Sequence, residues 1–330
     1  MNIAVLGGGA WGSVLAALLA DNGHDVALWE FDPAAALQLA TERTSVRGPA
    51  DHRLPPSVAV TADLLHAVFG RALIVLAVPS ETIRATLSKA RVVLANDVLI
   101  TCVSKGLEPG TFLTMDRVIQ QVHSGARVVL LSGPTFAQEI ARGLPAAVVA
   151  ASRDARAAET VQDCFAHDRL RVYTSDDVTG VAIGGALKNV IAIAVGISDG
   201  FGFGNNARAA LITRGLAEMG RLAIHLGAHP LTLAGLAGLG DLVLTCTGEL
   251  SRNRQVGLAL ARGEALVAIL KRLGHVAEGI GTARTARELA ATAGIDMPIT
   301  RLTAEVLHDG KPPRAAVTEL LSRTSRPERE

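Results

Sequence analysis

One stretch of this chain constrains its fold more than any other. Residues 178–198 read VTGVAIGGALKNVIAIAVGIS, and Lys188 is the only charged residue among these 21 positions. No carboxylate lies within ten residues of Lys188 on either side. A lysine in such surroundings must find a partner from a distant part of the chain, or its pKa falls through desolvation. Lys188 is therefore either a structural lysine that reaches a remote acid or a catalytic one.

The length of this stretch also raises the question of a membrane span. A spanning helix needs about 20 predominantly apolar residues. Here a lysine occupies the middle, and the window contains four glycines. These features favour a buried core helix over an integral membrane segment. No basic segment of the kind that opens a signal peptide follows Met1, so we expect no targeting sequence.

The net charge and the cysteines indicate which binding partners and which cellular compartment to expect. The formal net charge is only +1, and the basic residues do not gather on one stripe. We therefore expect no nucleic-acid partner and no membrane-surface partner. Cys102, Cys164 and Cys246 are widely spaced and form no CxxC pair, which is typical of buried, reduced cysteines in the cytoplasm.

The chain opens with the pattern of a strand, a glycine-rich turn and a helix. Residues 3–6 are apolar, residues 7–12 read GGGAWG, and a helical pattern follows. Gly7, Gly9 and Gly12 fill the G-x-G-x-x-G template. Its glycines allow a tight turn and a close approach of a pyrophosphate to a helix N-terminus. This arrangement predicts a dinucleotide-binding site.

The residue that follows the second strand bears on the choice of dinucleotide. Residues 25–29 form this predicted strand, and Glu30 then lies at the offset, about 20 residues, at which an acid binds the ribose hydroxyls. A carboxylate there accepts hydrogen bonds from a 2′-hydroxyl but repels a 2′-phosphate, so Glu30 favours NAD. Arg43, Arg47 and Arg53 are either solvated loop residues or contacts for a 2′-phosphate, which leaves NADP possible.

Continuous apolar runs predict the rest of the first domain. They are separated by segments of helix length, and such runs are typical of strands buried on both faces of a parallel sheet. The runs are residues 72–78, 98–102, 128–131 and 146–150.

From about residue 178 onward, helical patterns replace these runs. The predicted fold is α/β, with an N-terminal Rossmann-type, doubly wound, mostly parallel sheet in residues 1–180 and an all-α domain in residues 181–330. The tail from about residue 322 to 330 is expected to be disordered. Lys188 then lies where the two domains meet, in the position of a substrate cleft.

Polar residues directly after the predicted strands are candidates for ligand contacts, because ligands of such sheets bind at the carboxyl ends of the strands. Pro79 and Ser80 follow one run, and residues 132–135 follow another. Lys105 stands out as a cation on this rim, although a solvated loop lysine is the alternative.

The helical half adds a carboxylate and a cluster of polar residues. Asp241, with Thr245 four residues later, is a candidate partner for Lys188, and an Asp that only caps the next segment is the alternative. Ser251 is expected to cap a helix that begins with Arg252 and Asn253. Such an N-terminus suits a phosphate, whereas an ordinary capped helix with solvated arginines is the alternative.

Two other patterns in this half carry no site. His225 and His229 flank a helix end marked by Gly227 and Pro230, so we propose no metal site. Cys246 has no neighbouring histidine to activate it, and a buried apolar cysteine is the better interpretation.

Seven segments in chain order carry a family resemblance. They are GGGAWG at 7–12, SKGLEPG at 104–110, SGPTFAQEIARGLP at 132–145, GGALKNVIAI at 184–193, NNARAALITRGLAEM at 205–219, GLAGLGDLVLTCTGELSRNRQVG at 235–257 and VAEGIGTARTARELA at 276–290. Together they resemble NAD(P)-dependent glycerol-3-phosphate dehydrogenase of the bacterial type, over about residues 1–320. The LKN and LSRNR segments are more specific than the glycine loop.

The resemblance implies an oxidoreductase that interconverts dihydroxyacetone phosphate and sn-glycerol 3-phosphate for phospholipid synthesis. Lys188 would transfer the proton. The substrate would be surrounded by Lys105, Gly133, Thr135, Lys188, Asp241, Thr245, Ser251, Arg252 and Asn253. The cofactor would contact Ala10, Trp11, Lys105, Ala137, Arg252, Val276 and Glu278, beside Gly7, Gly9, Gly12, Glu30 and Phe31. We also expect a cytoplasmic homodimer.

The chemistry agrees with the residues. Ketone reduction needs a hydride from nicotinamide and a proton on the developing alkoxide, and an ammonium group both stabilises and protonates that oxygen. Work near neutral pH favours a lysine pKa lowered from about 10.4 to about 7–8, which burial in the charge-free stretch supplies.

The chain departs from the family pattern at two places, and two other functions remain as alternatives. Bacterial members often have a basic residue where Glu30 and Phe31 stand, which puts NADP use in doubt, and Asn205 replaces an aspartate common in the family. Another dehydrogenase that joins a Rossmann domain to a helical domain, of β-hydroxyacid or ketopantoate type, is an alternative. A nucleotide-sensing module without turnover is the other.

Overall fold

The computed structural model describes residues 1–49, 51–274, 277–324 and 327–328. Val276, one of the expected cofactor contacts, lies outside the described residues. Residues 325–326 and 329–330 of the tail that we expect to be disordered also lie outside them.

The described part of the first half forms one eight-stranded sheet. Its spatial order is β3-β2-β1-β4-β5-β6-β7-β8, and neighbouring strands are parallel except for the antiparallel pair β6 and β7. The strands are β1 (Asn2–Leu6), β2 (Asp25–Trp29), β3 (Ala59–Thr61), β4 (Leu73–Leu76), β5 (Leu99–Cys102), β6 (Arg127–Ser132), β7 (Ala146–Ala151) and β8 (Leu170–Ser175). This arrangement confirms the predicted doubly wound, mostly parallel sheet.

The apolar runs became strands because helices cover both faces of the sheet. All four residues of β4 and of β5 are buried. The sequence did not reveal β3 and β8, which are the two outer strands of the sheet. An outer strand is covered less completely, and in β8 the first four residues alternate between buried and exposed. Neither strand has the continuous apolar run by which the inner ones were found.

The described helices supply the covering layers and the whole second half. Those up to residue 165 pack around the sheet, and the later ones form the all-α domain. They are α1 (Ala10–Asp21), α2 (Pro33–Glu42), α3 (Leu64–Val68), α4 (Ile83–Ala90), α5 (Met115–Val122), α6 (Ala137–Ala141), α7 (Ala155–Phe165), α8 (Val178–Gly200), α9 (Gly204–His225), α10 (Pro230–Ala234), α11 (Asp241–Thr247), α12 (Arg252–Ala261), α13 (Leu266–Leu273), α14 (Glu278–Ala293), α15 (Pro298–His308) and α16 (Pro313–Leu321).

Helix α8 is the core of the second half and contains the charge-free stretch. It is long and apolar enough to cross a membrane, yet 94% of its most hydrophobic window is buried inside the protein. It is therefore a core helix, as its lysine and glycines predict. Helices α9, α11, α12, α14 and α15 all pack against it. The boundary that we expect after residue 180 falls in its first turn.

Glycines let the helices approach α8 closely. A Cβ added at Gly196 would lie 2.2 Å from the backbone oxygen of Arg254, and one added at Gly257 would lie 2.1 Å from the backbone oxygen of Ile193. Helices α8 and α12 therefore touch backbone to backbone. This contact fixes the start of α12 relative to Lys188.

Candidate active site

Lys188 lies in the middle of α8 and is held by two side chains of α11. Its Nζ donates to Asp241 Oδ1 at 2.6 Å and to Thr245 Oγ1 at 2.7 Å. Thr245 Oγ1 in turn donates to the backbone oxygen of Asp241 at 2.6 Å. The side chain of Lys188 is buried, with a residue exposure of 7%, and Asp241 is 1% exposed. The predicted pairing of Lys188 with Asp241 is confirmed.

Glycines of α8 explain why Asp241 reaches the lysine. A Cβ added at Gly184 would lie 2.6 Å from the backbone oxygen of Ala237. Ala237 belongs to the wide helical turn Leu236–Gly240, which leads directly into α11. Only a residue without a side chain at position 184 lets this turn pack against α8. Residues 236–240 then place Asp241 beside Lys188, which lies one helical turn after Gly184 on α8.

A second lysine binds the other oxygen of the same carboxylate. Lys105 Nζ donates to Asp241 Oδ2 at 2.6 Å and to the backbone oxygen of Gly133 at 3.0 Å. Lys105 follows β5 and Gly133 follows β6, so both lie at the carboxyl edge of the sheet, as predicted. Gly185 lies against the same rim, because a Cβ there would be only 3.0 Å from Ser132 Oγ and in ordinary contact with Lys105 Cγ at 3.4 Å.

The three charges shift one another's proton affinities. Burial lowers the pKa of Lys188 to about 8, although Asp241 opposes this shift. Burial also opposes ionisation of Asp241, but Lys105 and Lys188 outweigh it and hold the pKa of this carboxyl below its usual range. Near neutral pH the cluster thus contains an ionised carboxylate and a lysine poised to gain or lose a proton.

The start of α12 lies close to Lys188, because Asn253 bonds to Asn189, the next residue on α8. Ser251 is its N-cap, as predicted, and Ser251 Oγ accepts from the backbone N–H of Arg254 at 3.2 Å. Within the described residues, the backbone N–H groups of Arg252 and Asn253 have no hydrogen-bond partner. The Arg252 side chain is exposed. Free amides, the positive end of the helix dipole and a guanidinium together suit a phosphate.

Asn189 is a residue of this site that sequence reasoning missed. Its Oδ1 accepts from Asn253 Nδ2 at 2.9 Å, and Asn253 Oδ1 accepts from the backbone N–H of Gly279 at 3.1 Å. The side chain of Asn253 thus ties α12 to α8 and α14. The signal was available, because Asn189 is the polar residue directly after the lysine in an apolar stretch.

A salt bridge adds a further tie between the two helices. Asp199, near the end of α8, accepts from Arg254 Nε at 2.9 Å and from Arg208 Nε at 3.0 Å. The start of α12 and the lysine of α8 therefore belong to one unit of tightly packed helices.

The glycine loop fits a dinucleotide pyrophosphate. Gly7 has φ +122°, and a Cβ on Gly12 would lie 1.9 Å from the backbone oxygen of Gly7. A Cβ on Gly9, by contrast, would meet no atom of the described residues within 4 Å, so the loop is open there to an approaching phosphate. No side chain in the described part of the chain caps the N-terminus of α1, which contains Ala10 and Trp11. Its amides are thus available to an anion.

The other expected cofactor contacts lie around this loop or at the start of α14 in the second domain. Glu30 is buried beside Gly8, and Phe31 is largely exposed. Ala137 begins α6, which packs against α1. Glu278 begins α14 and accepts from the backbone N–H of Ser80 at 3.4 Å, which joins the two domains. Burial raises the pKa of Glu278, although Arg252 opposes this.

Cys246 takes no part in this chemistry. It is fully buried, and burial raises the pKa of its thiol to about 12. The predicted buried, inert cysteine is confirmed.

Two family models cover most of the chain. Residues 2–158 match the N-terminal model and residues 177–318 the C-terminal model of NAD-dependent glycerol-3-phosphate dehydrogenase. The chain is 50% identical to glycerol-3-phosphate dehydrogenase (NAD(P)+) of Anaeromyxobacter dehalogenans over 99% of its own length and all of that protein. It is 47% identical to the enzyme of that name from Geobacillus thermodenitrificans, covering 99% and 96% of the two chains.

Solved structures show the same relationship. The crystal structure of glycerol-3-phosphate dehydrogenase from Coxiella burnetii matches with a TM-score of 0.95 and 38% identity, over 98% of this chain and 99% of that one. A ketopantoate reductase from Ralstonia eutropha matches with a TM-score of only 0.57 and 16% identity, over 97% and 100% of the two chains. This second likeness concerns the fold alone, so the alternative dehydrogenase classes are not favoured.

The Asp241→Asn variant tests whether this carboxylate is the counter-charge that Lys105 and Lys188 share. The variant leaves two buried ammonium groups side by side, and we expect the free energy of unfolding near pH 7 to fall by about 3–5 kcal/mol. The pKa of Lys188, about 8 in the folded protein, should fall further below the unfolded value of about 10.4. Because the unfolded chain then binds more protons, the variant should gain stability as the pH rises between these values.

Urea unfolding near pH 7 and near pH 9 measures the free energy of unfolding of the variant and the wild type. The stability lost through Asp241→Asn should be smaller at the higher pH. Asp309→Asn, which removes a surface ion pair with Arg287, is the control and should cost less than about 1 kcal/mol at either pH. An Asp241→Asn protein as stable as the wild type near pH 7 would contradict the role of this carboxylate.

Proposed function

The chain belongs to the NAD-dependent glycerol-3-phosphate dehydrogenase family, and on that premise we propose that Lys188 transfers the proton of the reaction. The enzyme interconverts dihydroxyacetone phosphate and sn-glycerol 3-phosphate with NAD(P), and the second compound is a precursor of phospholipids. The observation that carries the proposal is the buried Lys188, bonded to Asp241 and Thr245 at the junction of the two domains.

The residues of the site have two roles in the proposed reaction: they stabilise the developing charge and they transfer a proton. The bound nicotinamide supplies or accepts the hydride at the carbonyl carbon. Lys188, as an ammonium, stabilises the negative charge that develops on the substrate oxygen and then protonates it. Asp241 and Thr245 fix the direction of its Nζ. In the opposite direction the neutral amine of Lys188 accepts the hydroxyl proton.

Lys188 fits the role of acid better than Lys105. Lys188 is the more deeply buried of the two side chains, and its pKa of about 8 lies close to a working pH near neutrality. Lys105 Nζ is held by a carboxylate and a backbone oxygen at once. We assign it a supporting electrostatic role beside the substrate, with Gly133 and Thr135 on the same rim.

The start of α12 is proposed to bind the substrate phosphate. Its two unpartnered amides and the exposed Arg252 side chain supply donors for a dianion. Ser251 acts there as the helix cap and Asn253 as a structural tie.

Lys188→Met should strongly lower turnover without loss of coenzyme binding. Loss of a general acid costs about 10²–10⁴-fold in rate. In the wild type, ketone reduction needs the protonated lysine, so its rate should fall as the pH rises through about 8, the pKa of Lys188. Alcohol oxidation needs the neutral amine, so its rate should rise over the same range. NADH absorbance in both directions measures the two profiles.

The exposed Lys89→Met on α4 is the matched control and should keep wild-type rates. Turnover by Lys188→Met within a few-fold of the wild type would show that another group moves the proton. Rates of ketone reduction and alcohol oxidation that do not change with pH across this range would also show that another group moves the proton.

Arg252→Ala tests the phosphate site. A lost charge-assisted hydrogen bond of about 1.5–3 kcal/mol should lower kcat/KM for dihydroxyacetone phosphate about 10–100-fold. The slow reduction of unphosphorylated dihydroxyacetone should fall much less, because it depends on Arg252 only through the expected coenzyme contact. Arg262→Ala, at the other end of α12, is the control. Equal losses with the two substrates would mean that Arg252 does not act on the phosphate.

We further propose that the enzyme works in the cytoplasm and prefers NAD. The three cysteines are free and buried, which agrees with a reducing compartment. Glu30 follows β2 at the glycine loop, where a carboxylate favours a free ribose 2′-hydroxyl.

A homodimer is the proposed assembly, formed through the first half of α9 and through α16. Side chains of these helices line a mostly apolar cavity of about 710 Å³ together with α8 and α15. Phe203 is 43% exposed and Leu321 is 79% exposed at this cavity. A second copy that presents the same helices would cover both apolar surfaces by twofold symmetry.

Ala210→Glu should convert this dimer to a monomer, because it places a charge on the exposed face of α9 at the cavity. Light scattering after gel filtration measures the mass. Leu231→Glu, at an exposed position on α10 away from the cavity, is the control and should keep the dimer mass. A wild-type protein with the mass of one chain at micromolar concentration would refute the assembly.

A further inference from the structure

The region after β2 contains an ion pair that the predicted NAD preference does not explain. Glu30 is only 3% exposed, and its carboxylate lies against the glycine loop, since a Cβ on Gly8 would be 2.7 Å from Oε2. Its other oxygen, Oε1, accepts from Arg47 Nη2 at 3.2 Å. The acid that should reject a 2′-phosphate is therefore already paired with a cation.

The pairing is built into the loop that contains Arg47. Ser45 Oγ donates to the backbone oxygen of Gly8 at 2.6 Å, and the backbone N–H of Arg47 donates to Ser45 Oγ at 3.3 Å. The loop is thus attached to the glycine loop itself. The Arg47 guanidinium lies over the ring of Phe31, 5.0 Å from its centroid.

The other two arginines of this loop are not available in the same way. The Arg43 guanidinium donates to the backbone oxygens of Pro55 and Val58, and so it holds the loop together. Arg53 is exposed, and among the described residues it makes no ion pair with Glu30. Asp32 adds a second acid, but its Oδ1 caps α2 by accepting from Ala34 and Ala35.

We propose that Arg47 is the residue that admits the phosphorylated coenzyme. In this fold the acid after the second strand faces the ribose 2′ position. With NAD, Glu30 accepts from the ribose hydroxyl while Arg47 stays on its other oxygen. With NADP, the 34% exposed Arg47 side chain turns from Glu30 to the 2′-phosphate, so one guanidinium serves both ligands. The inference rests on the coenzyme function of the first domain and is independent of the proton chemistry at Lys188.

Coenzyme binding without substrate tests the proposal. The fluorescence of NADH and NADPH, titrated with the full-length enzyme, gives both dissociation constants. Arg47→Ala should weaken NADPH binding at least tenfold, because Glu30 then faces the phosphate without a counter-charge, and should change NADH binding less than threefold. Arg53→Ala is the matched control from the same loop and should change neither.

Variants of Glu30 provide the reverse test. Glu30→Gln should tighten NADPH binding at least fivefold, because Arg47 is released and the repulsion is removed. The double variant Glu30→Gln/Arg47→Ala should bind NADPH more tightly than Arg47→Ala alone. If Arg47→Ala weakened the binding of NADH and NADPH equally, this arginine would only support the loop, which would contradict the proposal. Unchanged NADPH binding would also overturn it.

Discussion

The site depends on one buried carboxylate that serves two lysines. Asp241 binds Lys188 through one oxygen and Lys105 through the other, and all three side chains are largely removed from water. Two neighbouring ammonium groups would not stay charged in such a place without it, because burial and mutual repulsion both favour deprotonation. The carboxylate keeps the pKa of Lys188 from falling below about 8. This value lets the lysine act as an acid in one direction and as a base in the other.

The backbone of α8 makes this cluster possible. Gly184 admits the turn that places Asp241, and Gly185 leaves space for Ser132 Oγ, which would lie 3.0 Å from a Cβ there. Gly196 brings α12 into backbone contact with α8, while the Arg254 and Asp199 pair locks the two helices together. A helix rich in glycine loses some intrinsic stability. It gains a fixed geometry between Lys188, the proposed proton donor, and a helix N-terminus that suits a phosphate.

The fold could largely be predicted because its signals are local. Inner strands appear as continuous apolar runs, and the glycine loop marks the first turn by its spacing. The outer strands β3 and β8 were missed because they are short or alternate in burial. Asn189 stands out locally as a polar residue in an apolar stretch, but its role could not be predicted because its partner Asn253 is 64 residues away. The sequence does not distinguish Arg47 from Arg43 and Arg53, since nothing local tells which of the three faces Glu30.

The sequence by itself determined the Rossmann-type sheet, the buried helix and the isolation of Lys188 among apolar residues. These properties follow from hydrophobic periodicity and from the steric demands of glycine, which act over a few residues. Only the tertiary structure decided that Asp241 is shared with Lys105, that Asn253 is a tie between helices, and that Arg47 is paired with Glu30. Each of these depends on segments brought together by packing. The energy of a buried charge is set by the distance to its partner and by the loss of water around it, and neither can be read from spacing along the chain.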